Sequence, residues 1–296
     1  MSATFKKAER KKAKLRLGLT GPSGSGKTYS ALLLARQLGK KIAVIDSENG
    51  SASLYTHLCD FDVLEMQAPY TPERYIEALK AAEEAGYDVC VVDSITHEWS
   101  GPGGCLEINE KLAQAKYKGN TWSAWSETTP RHRKMLEAIV ASPMHIIVTL
   151  RSKTETAQVE DGGRKKVIKL GMKTEQRDGF EYEMSVVLDI VHEGHFAVAS
   201  KDRTGLFTDK DPAKISDDTA KRLMNWLNSG AELKPEPPAP VEKSAAYNAA
   251  KDALDKCKSP SDIIETQSQI NRSTKLSATE KQDLNALCQG CIEAMS

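Results

Sequence analysis

Short apolar runs alternate with amphipathic stretches through the first half of the chain. Leu15–Leu19, Ile42–Ile45, Val89–Val92 and Ile146–Leu150 are dominated by aliphatic and β-branched residues. Such runs predict strands buried on both faces. Between them, Thr28–Leu38 and Pro72–Ala85 have helical composition. The second is bracketed by Thr71 as N-cap, Pro72 at the first helical position and Gly86 beyond the end. Strand alternating with helix predicts an α/β core, a mostly parallel central sheet covered by helices.

The pattern changes after Leu150. Thr156–Gly171 reads as a hairpin or loop turning at Asp161-Gly162-Gly163. Met184–Val191 and His195–Ser200 read as further strands, added antiparallel, and Ile215–Leu227 as a closing helix carrying Trp226. Residues 231–243 hold four of the twelve prolines and no apolar periodicity, the composition of a semi-extended linker. Beyond it, Ser277 to Glu280 forms a capping box. Leu284, Leu287, Cys288, Cys291, Ile292 and Met295 then recur at one-face helical spacing. The resulting division is a basic tail at 1–13, an α/β core at 14–230, a Pro-rich linker at 231–243 and a small helical module at 244–296.

Composition narrows the class. Apolar residues make up 40% and charged residues 28%, the formal net charge is zero, and no apolar run approaches membrane-spanning length. Any attraction to nucleic acid therefore has to be local. Six scattered cysteines make no disulfide framework in a chain of 296 residues, which predicts a reduced, cytoplasmic protein. The pair Cys288 and Cys291 lacks a second pair or a neighbouring His, and its place in the apolar stripe assigns it to packing.

Gly21-Pro22-Ser23-Gly24-Ser25-Gly26-Lys27-Thr28 fits the Walker A pattern G-x-x-x-x-G-K-S/T, with an apolar strand before it and a helix after it. Glycines there let backbone N–H groups wrap phosphates at the positive end of a helix. Lys27 is expected on the β- and γ-phosphates of ATP, and Thr28 on Mg²⁺. Val89–Asp93 is an apolar strand ending in an acid downstream of this loop, a Walker B arrangement in which Asp93 also serves the Mg²⁺.

Further segments carry a resemblance. Lys41–Tyr55 resembles the second strand of the bacterial recombinase RecA, which implies that Glu48 polarises the attacking water and Tyr55 lies against adenine. Ser200–Gly205 resembles the strand end of RecA and of the hexameric DnaB helicases. It implies that Lys201 and Arg203 reach the γ-phosphate of a neighbouring subunit, so that activity requires a ring or filament. Asp93–Trp99, Arg151–Glu155 and Gln176–Glu183 are similar to phage and prophage RecA-like ATPases, including single-strand annealing recombination proteins of the Sak type. The resemblance spans about residues 14–229 and implies a RecA-like P-loop NTPase core; a phage-encoded member would work in the cytoplasm of its bacterial host. It has two departures: Thr149 stands where RecA has a Gln, and RecA's N-terminal polymerisation helix is absent. Residues 244–296 resemble helical tails of phage recombination proteins, implying a single-strand-binding protein or another recombination factor as their partner.

Arg151–Arg177 carries eight basic residues against four acidic ones, with Arg164, Lys165, Lys166, Lys169 and Lys173 clustered after the Asp161–Gly163 turn. The position matches the second DNA-binding loop of RecA-like proteins, and flexible cations suit the phosphates of single-stranded DNA. The N-terminal Lys6, Lys7, Arg10, Lys11 and Lys12 offer a second contact, and a solvated surface is the plain alternative for both clusters. Trp122 and Trp125 have two readings, base stacking or anchoring of a helix over 122–140. The expected activity is ATP-dependent single-stranded DNA binding and recombination. A helicase-like or packaging motor and an ATP-controlled assembly switch are the alternatives.

Overall fold

The computed structural model describes residues 7–8, 12–161, 164–230, 244–257 and 259–295, with side chains described outside 154–172 and 293–295. Residues 7–230 and 244–295 fall into two separate units. The chain order in the first is β1 (Arg16–Gly21), α1 (Lys27–Leu38), β2 (Ile42–Asp46), β3 (Asp62–Glu65), α2 (Pro72–Glu84), β4 (Val89–Asp93), α3 (Thr96–Ser100), α4 (Cys105–Lys116), α5 (Thr121–Ala141), β5 (His145–Asp161), β6 (Arg164–Thr174), β7 (Val186–Ile190), β8 (Phe196–Asp202), β9 (Ala213–Lys214) and α6 (Asp217–Asn228).

The sheet order is β3-β2-β4-β5-β1-β7-β8-β9, and β6 pairs with the distal part of β5. Strands β3, β2, β4, β5, β1 and β7 run parallel to their neighbours in this order. Within it β8 runs antiparallel to β7, and β9 antiparallel to β8. The sequence reading made β7 an antiparallel addition; it is parallel to β1. A crossover explains this, because the segment from Glu175 through the 3₁₀ turn Phe180–Glu183 returns the chain to the start of β1, where Ser185 N–H bonds Arg16 O at 2.7 Å.

Both faces of the sheet are covered, which is why its central strands read as unbroken apolar runs. Leu17 and Leu19, Ile42 and Val44 pack toward α1 and α6; Ala43 and Ile45, Cys90 and Val92 pack toward α2 and α5. Thr71 caps α2 as expected, accepting from Arg74 N–H. Arg16, the one cation within the first apolar run, is buried and donates to the carbonyls of Leu15, Met144, Val140 and Ser142, tying β1 to the end of α5. Burial pushes its guanidinium down to about 10.

The hairpin reading of Thr156–Gly171 agrees with the pairing of β5 and β6, whose register runs from Ser152↔Thr174 to Asp161↔Arg164. Its turn at Gly162-Gly163 lies outside the described residues, as do Lys6, Arg10, Lys11 and the linker 231–243.

In the second unit, α7 (Ala245–Leu254), α8 (Pro260–Arg272) and α9 (Ala278–Met295) enclose Tyr247, Leu254, Ile263, Ile270, Leu284 and Cys288. The capping box before α9 is present, with Ser277 Oγ accepting from Glu280 N–H and Glu280 accepting from Ser277 N–H. Cys288 is buried and Cys291 half-buried in this core, both as free thiols. Leu287 departs from the expected stripe and is exposed. Among the described residues, no helix is long and apolar enough to cross a membrane.

Candidate functional site

Parallel strands present their C-terminal ends along one edge, and that edge gathers the chemistry. The register sets Gly21 beside Arg151 and Asp46 beside Asp93. Residues far apart in sequence therefore share one place for topological reasons.

The loop from Gly21 to Gly26 turns the chain from β1 into α1. Gly24 and Gly26 hold left-handed φ of 77° and 89°, which glycine adopts without steric cost. A Cβ on Gly21 would come within 2.6 Å of Ile190 O, so the loop also packs too closely for a side chain there. Ser25 Oγ is buried and has no hydrogen-bond partner among the described residues. Lys27 Nζ donates to Gly21 O and Pro22 O, each at 2.9 Å, and burial lowers its pKa below the ordinary lysine value. A half-buried ammonium at the N-terminus of an α-helix suits an anion, which would replace the two carbonyls as its partner.

Thr28 Oγ1 donates to Asp93 Oδ2 at 2.6 Å, and Thr149 Oγ1 donates to Asp93 Oδ1. Burial pushes the Asp93 carboxyl up, while the hydrogen bonds from Thr149 and Thr28 pull it down. The hydroxyl and carboxylate oxygens of this pair suit a hard divalent cation. Thr149 thus holds the acid from β5, two residues before Arg151.

Glu48 sits just past β2. Asp46 orders its turn by accepting from Glu48 N–H at 2.6 Å and Ala52 N–H at 2.9 Å. The Glu48 carboxylate is paired with Arg151 through both oxygens, with Nε to Oε1 at 2.8 Å and a second bond from Nη2 to Oε2. This forked pair joins the candidate base to the root of the β5–β6 arm. Sequence reading missed it.

Tyr55 lies in the 3₁₀ turn Ser51–Tyr55, half-buried against the core and edge-to-face with Tyr29 of α1 at 6.1 Å. The turn between β7 and β8 was also missed: His195 Nδ1 lies 3.0 Å from Ser25 O, and a Cβ on Gly24 would meet the His192 ring at 3.2 Å. Two imidazoles therefore pack on the loop. A cavity of about 910 Å³ opens beside it, lined by Gly21, Pro22, Asp189, His192, Arg177 and Tyr182 among others.

Lys201 and Arg203 come together, as their spacing predicts, but on the main chain. Lys201 Nζ donates to Glu181 O and Tyr182 O, and Arg203 Nη2 to Tyr182 O at 2.9 Å. Among the described residues, neither donates to Glu48 or Asp93. Asp202 between them accepts from the N–H groups of Thr204, Phe207 and Thr208 and so shapes the following loop.

Arg164, Lys165, Lys166 and Lys169 lie along β6, with side chains outside the described residues; Lys173 is exposed near the root of the arm. The two tryptophans differ in their surroundings. Trp125 is stacked on Trp99 and anchors α5, whereas Trp122 is 86% exposed. Below them Glu98, Cys105 and His132 form a buried cluster with ligating atoms within 4.8 Å of one another. Burial and the Glu98 charge push the Cys105 thiol up, and it donates to Glu98 at 3.0 Å; His132 Nδ1 lies 3.0 Å from the same carboxylate.

Compared with known families, residues 13–226 match the AAA domain model AAA_24, which covers the whole first unit save its basic tail and last turn. A search of curated proteins finds no match.

Proposed function

The chain belongs to this AAA domain family of P-loop ATPases, and from that premise we propose an ATP-dependent, single-stranded DNA-binding recombination protein that works as a homo-oligomer. The observation that carries the reading is the joining of two devices at the end of β5. Thr149 bonds the acid beside the P-loop, Arg151 bonds Glu48, and the basic arm begins at the next residue.

ATP with Mg²⁺ supplies a transferable γ-phosphoryl group whose charge the metal neutralises. Loop amides and Lys27 hold the phosphates, while Thr28 and Asp93 hold the metal. Glu48 accepts the proton of the attacking water, and for this its carboxylate has to part from Arg151, since both its oxygens are engaged there. Tyr55, with Tyr29 beside it, offers a flat surface for the base. Lys201 and Arg203 leave the Tyr182 carbonyl to act on the γ-phosphate of a neighbouring subunit. Arg164, Lys165, Lys166, Lys169 and Lys173 follow the DNA backbone, and residues 244–296 recruit a recombination partner such as a single-strand-binding protein.

Replacing Glu48 by Gln tests the catalytic half of this reading. Glu48→Gln should bind ATP as the wild type does and lose turnover about 10²-fold or more, since only proton acceptance is removed. Turnover at the wild-type rate would remove Glu48 from the role of base.

A further inference from the structure

Trp122 keeps most of its ring in water, more than any other large apolar side chain among the described residues. It stands in the first turn of α5, whose N-cap Asn120 accepts from Ser123 N–H, so its backbone is fixed while its ring is free. Burying a tryptophan is among the larger gains open to a folding chain. A fixed Trp that gains none of it is a surface element awaiting a partner.

The surroundings specify that partner. One turn along α5, Trp125 stacks on Trp99 with centroids 5.5 Å apart and planes inclined by 16°. The Arg177 guanidinium lies over Trp125 at 5.3 Å. Trp99 is in turn set edge-on to His132 at 5.7 Å, and His132 is held by the buried Glu98 carboxylate. These aromatic groups form a platform with a rigid floor. Together with Lys153 and Lys173 they line a cavity of about 750 Å³, a size that takes a small planar ligand. Lys153 and Lys173 face one another across the root of the arm. Lys153 meets the half-buried Glu175 at 3.6 Å and Lys173 meets the exposed Asp178 at 3.3 Å, pairs with which a phosphate can compete.

Flat aromatic faces beside several cations match a nucleobase attached to its phosphate. An apolar protein segment would find that same rim of cations unfavourable to bury. We propose that Trp122, with Trp125 and Arg177, forms a base-stacking subsite for single-stranded nucleic acid at the root of the β5–β6 arm. This rests on the reading of the arm as a nucleic-acid surface and adds what that reading lacks, a contact to bases. The segment Lys173–Asp178 borders this cavity on one side and the cavity beside the P-loop on the other. A base seated on the platform therefore touches a segment that also lines the cavity beside Gly21 and Pro22.

The test uses the full-length chain with two probes, an oligothymidylate and an abasic strand of the same length. Trp122→Ala should weaken oligothymidylate binding by about fivefold to a hundredfold, the range for losing one stacked base. The slope of log affinity against log salt should stay unchanged, since no phosphate contact is removed. The wild type should bind the abasic strand more weakly by a similar factor, Trp122→Ala should not distinguish the strands, and Trp122→Phe should recover most of the loss. ATP binding by Trp122→Ala at the wild-type level certifies its fold. If the wild type binds oligothymidylate and Trp122→Ala binds it equally well, the subsite is overturned and the arm reading survives. An affinity loss accompanied by a shallower salt slope makes the contact a backbone one and also overturns stacking. Failure of the wild type to bind either strand overturns both readings.

Discussion

Lys27 and Lys201 each rest on two main-chain carbonyls, Lys27 on Gly21 and Pro22, Lys201 on Glu181 and Tyr182. Burial lowers the pKa of both below the ordinary lysine value. Their surroundings differ. Within its own chain Lys27 feels the charges of Asp93 and Glu48 and adjoins Thr28. Lys201 sits by a second cation, Arg203, which lowers its pKa further, by the carboxylates of Glu183 and Glu181, which raise it, and by the carbonyls at the end of a short 3₁₀ turn. One lysine belongs to a site its own chain assembles. The other shares its place with a second cation, and it is this pair that the proposed function assigns to a neighbour's phosphate.

Removing Arg203 should break this comparison most sharply. A cation supplied in trans to a γ-phosphate contributes about 10³–10⁵ in rate, so Arg203→Ala should lose turnover on that scale while still binding ATP. Mixed with Lys27→Ala, itself inactive, it should regain activity, because assemblies then contain some sites with an intact loop and an intact finger. If subunits exchange and no mixture recovers activity, the two lysines serve the same chain or Lys201 and Arg203 serve none.

A smaller effect is expected from the arm. Reversing Lys165, Lys166 and Lys169 to Glu should weaken single-stranded DNA binding about tenfold or more and make the salt slope shallower by about 2, three phosphate contacts at about 0.7 each. ATP binding at Lys27 should be unaffected. Titrations against salt measure both quantities, and an unchanged slope would return β6 to the solvated-surface reading.

The contrast between contiguous and assembled features also explains what the sequence disclosed. Gly21–Thr28 and Val89–Asp93 are local patterns whose chemistry lies within a few residues, and the structure places them together through Thr28 and Asp93. The Glu48–Arg151 pair joins residues 103 positions apart and exists only because β2, β4, β5 and β1 end side by side. Nothing in either local sequence announces it. Strand β3 escaped notice because all four of its residues are exposed, leaving no apolar run to read. Helix α4 had no reading of its own, and the His192–His195 turn reaches the P-loop only through the β7–β8 reversal. Leu287 kept helical spacing yet remained outside the small core, since α7, α8 and α9 enclose a narrower stripe than the periodicity suggests.

The forked Glu48–Arg151 pair, one residue from the root of the arm, would let a strand bound to the arm act on Glu48 through Arg151. The direct measurement is the ATP turnover of the wild type and of Arg151→Ala, each with and without single-stranded DNA. The wild type should turn over slowly, and DNA should raise its rate. Arg151→Ala should have a DNA-free rate about tenfold above that of the wild type, as loss of a charge-assisted hydrogen bond frees the base, with little further response to DNA. A wild-type rate indifferent to DNA, or an Arg151→Ala variant that is slower than the wild type while binding ATP normally, would contradict this coupling.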